Sequence, residues 1–330
     1  MDGAPEEACH LVWLDSAPVS RTLVGGKGSS LSQLATLGAP IPPAFALTTH
    51  AYPHFAASLN LPHQASDVAD EDLPQLRALI MGAALPEPVT ESIANGYRAF
   101  QALVDCELAL AVRSSATAED SADFSFAGLH DTVLDVRTLP ALETAVKQCW
   151  ASLWSERAVA YRRAGGIATD DAAIAVVVQQ LVRSDVSFVV FTADPVGGCD
   201  RHLVIAASWG LGEAVVSGLV VPDHIVVGPD GQVVEYVIGD KQLMVIPGAR
   251  PEDGTREVPV PRALRTMPVL SHGQASAIAA MARQLSPRLG FEADLEGAIA
   301  GDALYLFQAR PITTLGPQVR TGRFASSGGA

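Results

Sequence analysis

Lys27 lies in Leu23-Val24-Gly25-Gly26-Lys27-Gly28-Ser29-Ser30, just ahead of an amphipathic stretch, and is one of only three lysines among 330 residues. The remaining positive side chains are arginines. A chain that uses arginine elsewhere and keeps a lysine in a glycine-rich turn points to a compact ammonium beside phosphate, where turn amides can cradle the anion. The same tripeptide also serves as a plain turn before a helix, so by itself it does not decide. Further along, the apolar run Leu108-Ala109-Leu110-Ala111-Val112 precedes Arg113-Ser114-Ser115-Ala116-Thr117. That pattern predicts a buried strand delivering a polar loop, with Arg113 where the strand ends. An arginine so placed serves either an anion or an ordinary strand-end ion pair. Other chemistries find less support. Cys9, Cys106, Cys149 and Cys199 form no Cys-x-x-Cys pair, and no His-Glu-x-x-His accompanies them, so they read as buried thiols in a reducing compartment. Trp209-Gly210-Leu211-Gly212-Glu213-Ala214 has Val215 where a dinucleotide fingerprint needs its third glycine.

The elements that must position these residues belong to a globular chain, 48% hydrophobic and 18% charged, long enough for one bilobal domain or two domains. A net charge of -14 argues against a polyanion-binding surface, so nucleic acid is not expected and any phosphate site must be a local positive pocket. The acidic N-terminus does not resemble a signal peptide and no apolar run approaches a membrane span, giving a cytoplasmic expectation without a membrane partner. Periodicity predicts a short helix over 29–37, a mostly helical region over 60–107 with a loop at 62–74, and a helix from about 140 to 163 carrying Trp150 and Trp154 on one face. Strands are predicted at 131–136, 173–182, 186–192, 202–207 and 224–228. Ser271 and Gln274 have the spacing of a capping box for a helix running toward Leu285, and 293–300 with 303–310 read as a hairpin around Gly301-Asp302. After Thr314 periodicity is lost, which predicts a flexible tail.

Taken in order, several segments resemble the ATP-binding domain of the phosphoenolpyruvate synthase, pyruvate phosphate dikinase and rifampin phosphotransferase family. They are Val24-Gly25-Gly26-Lys27-Gly28, Pro42-Pro43-Ala44-Phe45 with Thr48-Thr49, Ala111 to Asp120, and Ser125-Phe126-Ala127-Gly128. They continue with Phe191 to Pro195, Trp209 to Ala214 with Ser217-Gly218, and Gln308-Ala309-Arg310-Pro311-Ile312-Thr313. The resemblance covers about residues 13 to 314. It implies an α+β ATP-grasp domain over 1–316, with lobes of roughly 1–180 and 181–316, a tail at 317–330, and ATP with Mg2+ held between mixed and antiparallel sheets. Neither a phosphohistidine domain nor a C-terminal substrate barrel is expected within the chain.

Phosphoryl transfer demands positioning and charge neutralisation, so such a site needs cations on the phosphates, oxygen ligands on Mg2+, and a cover against water. By resemblance, Lys27 and Arg113 hold the polyphosphate and Arg310 lies near the terminal phosphate, with Lys27 and Arg310 the catalytic candidates. Gly128, in a small polar segment from Ala116, lets amides approach phosphate, and Thr132 adds a hydroxyl; composition alone would make this segment a solvated loop. Gln179 is placed where the adenine edge is read, although a solvent-facing strand residue is its plain alternative. Glu296 and Gln308 are the metal candidates, since a hard cation wants oxygen ligands. They share a face only if the hairpin pairs Glu296 with Gln308 and Asp294 with Arg310, which requires an odd loop such as Gly301-Asp302-Ala303, and the odd loop is the expectation. A two-residue turn would set Glu296 opposite Phe307, send the two oxygens to opposite faces and remove the shared metal site.

The chain departs from the family pattern at Gly297, where a tryptophan is common, and at Val190, where a bulkier side chain is common; looser nucleotide packing is the expectation. Lys241 is another family-like position, with no chemistry assigned. His272 reads as an exposed first-turn residue and not as the family's phosphoryl carrier, and the other histidines show no partner constellation. The resemblance implies a domain that binds Mg-ATP and donates a phosphoryl group to a histidine or small molecule, on a separate chain or a missing region. A stand-alone ATP-grasp ligase or small-molecule kinase, a rifampin-phosphotransferase-like fragment, and a non-catalytic nucleotide-binding module are the alternatives.

Overall fold

A computed structural model of the protein describes residues 9–15, 17–62, 67–104, 107–117, 132–165, 173–193, 202–250 and 253–312. Gly128 therefore lies outside the described residues. The chain divides into two compact units, Met1–Val182 with Pro247–Thr255, and Arg183–Ile246 with Arg256–Ala330. Helices and antiparallel strands occur in both, so the class is α+β.

In the first unit, β1 (Leu11–Trp13), β2 (Ala44–Leu47), β3 (Leu110–Ala116), β4 (Thr132–Val136) and β5 (Ile174–Gln180) form one sheet in the order β1-β2-β5-β3-β4. Every neighbouring pair is antiparallel. Because side chains alternate along a strand, the sheet has two unlike faces. Phe45, Leu47, Leu110, Val112, Val176 and Val178 point to one of them and enter a large core. That core is completed by α2 (Ala51–Ser58), α3 (Leu73–Gly82), α4 (Glu87–Leu103), α5 (Leu139–Ala151) and α6 (Glu156–Gly165). The opposite face is lined by small residues, Ala44, Ala46 and Val177, and is covered by α1 (Arg21–Thr36) through Val24 and Leu31.

The helix predicted over 29–37 starts earlier than its apolar spacing suggested. A first turn from Arg21 is broken at Gly25, with φ 69° and ψ -177°, and the helix resumes at once so that Lys27 sits in its first turn. This backbone conformation is open essentially to glycine alone. Space demands glycine too: a Cβ on Gly25 would fall 2.1 Å from the Ser115 carbonyl oxygen. The helix predicted over 140–163 is interrupted as well. Between α5 and α6 a 3-10 turn spans Ser152–Trp154, where the Ser152 hydroxyl donates to the Cys149 carbonyl at 2.7 Å and Ser155 is extended. Trp150 and Trp154 still share a buried face; Trp150 stacks on Phe55 at 4.9 Å, and Trp154 Nε1 donates to the Tyr52 hydroxyl at 2.9 Å.

The second unit holds a sheet ordered β13-β12-β6-β7-β8-β9. Its strands are β6 (Val186–Phe191), β7 (Leu203–Trp209), β8 (Asp223–Val227), β9 (Val233–Val237), β12 (Ala293–Ala300) and β13 (Ala303–Pro311). After β7, Gly210 at φ 80° leads into the short α7 (Glu213–Val216). A separate hairpin pairs β10 (Leu243–Pro247) with β11 (Thr255–Pro259). Helix α8 (His272–Leu289) packs on β6, β8, β9 and β12. It opens with the expected capping box, Ser271 accepting from the Gln274 amide while the Gln274 side chain accepts from the Ser271 amide. His272 is exposed at its start, stacked on Tyr236 at 6.0 Å. Among the described residues no helix is long and apolar enough to cross a membrane. The thiol expectation holds for Cys149, which is buried, and fails for Cys9, which is exposed.

Candidate functional site

In the first unit the motifs read from sequence interlock. The Ser115 hydroxyl accepts from the Gly28 amide at 3.1 Å and donates to the Val24 carbonyl at 2.7 Å. Lys27 Nζ donates to the Ser114 carbonyl at 2.9 Å. Thr49 binds the start of the same helix from the other side, its amide to Leu23 O at 2.8 Å and its hydroxyl to Thr22 O at 2.9 Å. The serines and threonines around the glycine turn thus satisfy helix-end backbone groups that would otherwise be buried unpaired, and they fix where the Lys27 ammonium is held.

Arg113 is not at a strand end. β3 continues to Ala116, because its pairing with β5 runs unbroken from Leu110 opposite Gln180 to Ala116 opposite Ile174. Arg113 lies mid-strand, opposite Thr132 on one side and Val177 on the other. Gln179 is opposite both Ala44 and Ala111. Period-two alternation therefore sets Arg113, Thr132 and Gln179 on the small-residue face, the one α1 covers. Gln179 is 2% exposed and its Nε2 is buried with no hydrogen-bond partner, an orphan donor of the kind a ligand acceptor satisfies. Sequence reading missed Arg21. Its Nε donates to Thr117 O at 2.8 Å while its Nη2 is buried and unpartnered, and no local pattern marks it.

In the second unit Glu296 stands opposite Gln308, and Asp294 opposite Arg310. The expected pairing is present, but not through the expected loop. Ala300 pairs with Ala303, so the turn has two residues, Gly301 and Asp302. The register then shifts between Glu296 and Gly297, which faces Leu306, leaving Phe307 as the extra residue of a β-bulge. One unpaired residue in β13 does what an odd loop would have done. Arg310 Nε donates to Asp294 Oδ2 at 2.7 Å, and its Nη2 lies 4.0 Å from Glu296 Oε1. Glu296 and Gln308 are both buried. At the neighbouring strand end, the Thr192 hydroxyl contacts Glu292 Oε2 and accepts from the Ala293 amide, both at 2.7 Å, which anchors the strand carrying Asp294 and Glu296.

Gly297 leaves no gap. It faces away from Glu296, and a Cβ there would meet the Phe188 ring at 2.5 Å, so Phe188 fills the space a larger side chain would take. The second family-like lysine is structural: Lys241 is fully buried in an ion pair with Asp223, which also accepts from the Gly239 and Val269 amides and the Tyr236 hydroxyl. Burial, reinforced by the Asp223 carboxylate, pushes the Tyr236 hydroxyl up to about 12. Lys147, the third lysine, donates to the carbonyls of Met81 and Ala83 near the end of α3.

The class is that of a nucleotide-binding domain of the dikinase type: the chain belongs to the family described as pyruvate phosphate dikinase, AMP/ATP-binding domain, whose model matches residues 21–323. It is 38% identical over 307 residues to a probable phosphoenolpyruvate synthase of Methanothermobacter thermautotrophicus, covering 89% of this chain and 44% of that protein. It is also 38% identical over 319 residues to a rifampicin phosphotransferase of Bacillus cereus, covering 92% and 36%, respectively. A prodigiosin synthesizing transferase of Serratia marcescens is 39% identical over 292 residues, covering 88% and 32%. The chain thus spans less than half the length of these curated relatives.

Proposed function

We propose that this chain is an ATP-grasp domain that binds Mg-ATP and donates a phosphoryl group to an acceptor carried elsewhere, on another chain or another region of a longer protein. The observation that carries the reading is the first sheet's small-residue face, where Arg113, Thr132 and the orphaned Gln179 amide lie beside the helix start bearing Lys27. Lys27 and Arg113 are suited to the polyphosphate, with the Thr132 hydroxyl as an added donor and the Gln179 amide on an acceptor of the adenine edge. In the second unit, Glu296 and Gln308 present a carboxylate and an amide oxygen from directly paired positions, a donor set that fits Mg2+ when phosphate oxygens complete its shell. When bound, Mg2+ neutralises charge on the transferring phosphoryl group. Arg310, held by Asp294, brings a guanidinium to the same strand pair and is the group proposed for the terminal phosphate. Gly128 is proposed as the close-approach residue of a covering segment.

Acceptor choice is assigned to regions outside this chain. Three relatives whose names point to different products share this stretch at nearly equal identity, as a common ATP-using part joined to different partners would. A phosphohistidine-bearing domain is the proposed immediate acceptor, and a cytoplasmic setting is the proposed compartment. The test is isothermal titration with ATP and Mg2+ followed by incubation with γ-labelled ATP. Saturable binding weakened in Arg113→Ala and Glu296→Gln, with label moving only when a phosphohistidine domain is supplied, is the expected result. Product formation by the chain alone would favour a self-contained kinase or ligase, and binding without transfer under either condition would favour a non-catalytic module.

A further inference from the structure

Three of the eight histidines, for which the sequence showed no partner constellation, meet at one corner of the first unit. The antiparallel register that pairs Leu11 with Leu47 continues one step outward, where the Thr48 amide donates to His10 O at 2.9 Å and the Thr48 hydroxyl to Cys9 O at 2.8 Å. The chain then passes through Thr49 to His50, the residue that caps α2, and one helical turn later reaches His54. Positions four apart on a helix project from the same side, so His50 and His54 share a face, and the strand register brings His10 to it. The rings of His10 and His54 lie 5.4 Å apart, tilted by 34°.

That separation has chemical meaning. With a metal–nitrogen bond of about 2.1 Å and a ring centre roughly 1.2 Å behind the nitrogen, two imidazoles on one tetrahedral ion have centres about 5.4 Å apart. We propose that His10, His50 and His54 form a surface site for one divalent transition ion of the zinc, nickel or copper class. All-imidazole donors favour these ions over Mg2+, which takes oxygen ligands, so this site and the one proposed at Glu296 select different metals. Among the described residues no three ligating side chains already surround one point. Closure therefore requires a change of rotamer at His50, which is exposed and free to move between staggered wells. Occupancy would tie His10 to α2, adding a cross-link beside the two Thr48 hydrogen bonds.

The experiment is calorimetric titration of untagged protein with ZnCl2, and separately NiCl2, in the presence of excess Mg2+. The expected result is one equivalent of saturable binding. His54→Ala and His50→Ala should each weaken it by more than about tenfold, since even outer-shell partners of metal ligands cost that much. Both residues are exposed, so these variants carry the test even if His10→Gln perturbs folding. Glu296→Gln should leave the affinity unchanged. No saturable uptake of either ion, uptake that survives His50→Ala and His54→Ala, or uptake abolished by Glu296→Gln would each overturn the assignment.

Discussion

Replacing Gly25 by alanine should dislodge the helix that carries Lys27, and the cost can be worked from two separable terms. The first is conformational: φ 69° with ψ -177° lies in a region nearly closed to residues with a Cβ, at about 1–3 kcal/mol. The second is steric: the new methyl would lie 2.1 Å from Ser115 O, a backbone atom held near the end of β3 by its pairing with β5. Overpacking of this kind costs a further ~1–3 kcal/mol. The sum, about 2–6 kcal/mol, is a large part of the ~5–15 kcal/mol that stabilises an ordinary domain. If the fold survives by letting α1 move off the sheet, the displacement needed is on the order of 1 Å, enough to cost about 100-fold in turnover at a site that depends on Lys27. Gly38→Ala separates the terms. Gly38 has φ 77° but nothing within 4 Å of its would-be Cβ, so only the backbone cost, about 1–2 kcal/mol, applies. Urea unfolding followed by tryptophan fluorescence reports on this unit through buried Trp150 and Trp154. A Gly25→Ala protein within about 0.5 kcal/mol of Gly38→Ala, with unchanged ATP binding, would refute the argument that close approach to Ser115 is what demands glycine.

Lys241→Ala should lose about 3–5 kcal/mol by leaving the Asp223 carboxylate buried without its cation, measurable as a lowered urea midpoint at unchanged m-value. The raised pKa of Tyr236 makes stability pH-dependent at the alkaline end. Its contribution is complete below about 10, the ordinary tyrosine value, and is lost as pH rises toward about 12 because the unfolded chain ionises first; Tyr236→Phe should remove that phase of a pH–stability curve. For His10 the sign is reversed: its pKa is lowered, so stability present above about 6.5 declines as pH falls below it. In His54→Ala the His10 ring resonance should titrate closer to 6.5, and an unaltered midpoint by NMR would show that the two rings do not repel.

Much of the site could be read from sequence because its parts are carried by local patterns. Alternation placed Glu296 and Gln308 on strands, the glycine-rich turn marked Lys27, and the capping box of Ser271 and Gln274 located α8. What escaped notice depended on long-range contacts. Arg113 was read as a strand end because Ser114, Ser115 and Ala116 look like loop residues, yet β5 extends the strand through them, and burial of Ser115 serves the Gly28 amide. The break at Ser152 within a continuous helical pattern follows from packing of Trp150 and Trp154 against Tyr52 and Phe55. The histidine corner joins residues forty positions apart through the β1–β2 register, for which composition carries no signal.

The two-residue turn of the β12–β13 hairpin and the extra residue at Phe307 are two halves of one arithmetic. Between Glu296 and Gln308 the chain has an odd number of intervening residues, and that oddness must be spent somewhere. Spending it beside the carboxylate, and not at the distant tip, adds local twist to the strand just where Gln308 and Arg310 are aimed. Excising Phe307 would preserve every partner on the far side of the irregularity while flattening the ribbon. Such a protein would have the same ligating atoms in the same order, pointed differently, and would separate composition from orientation in metal selectivity.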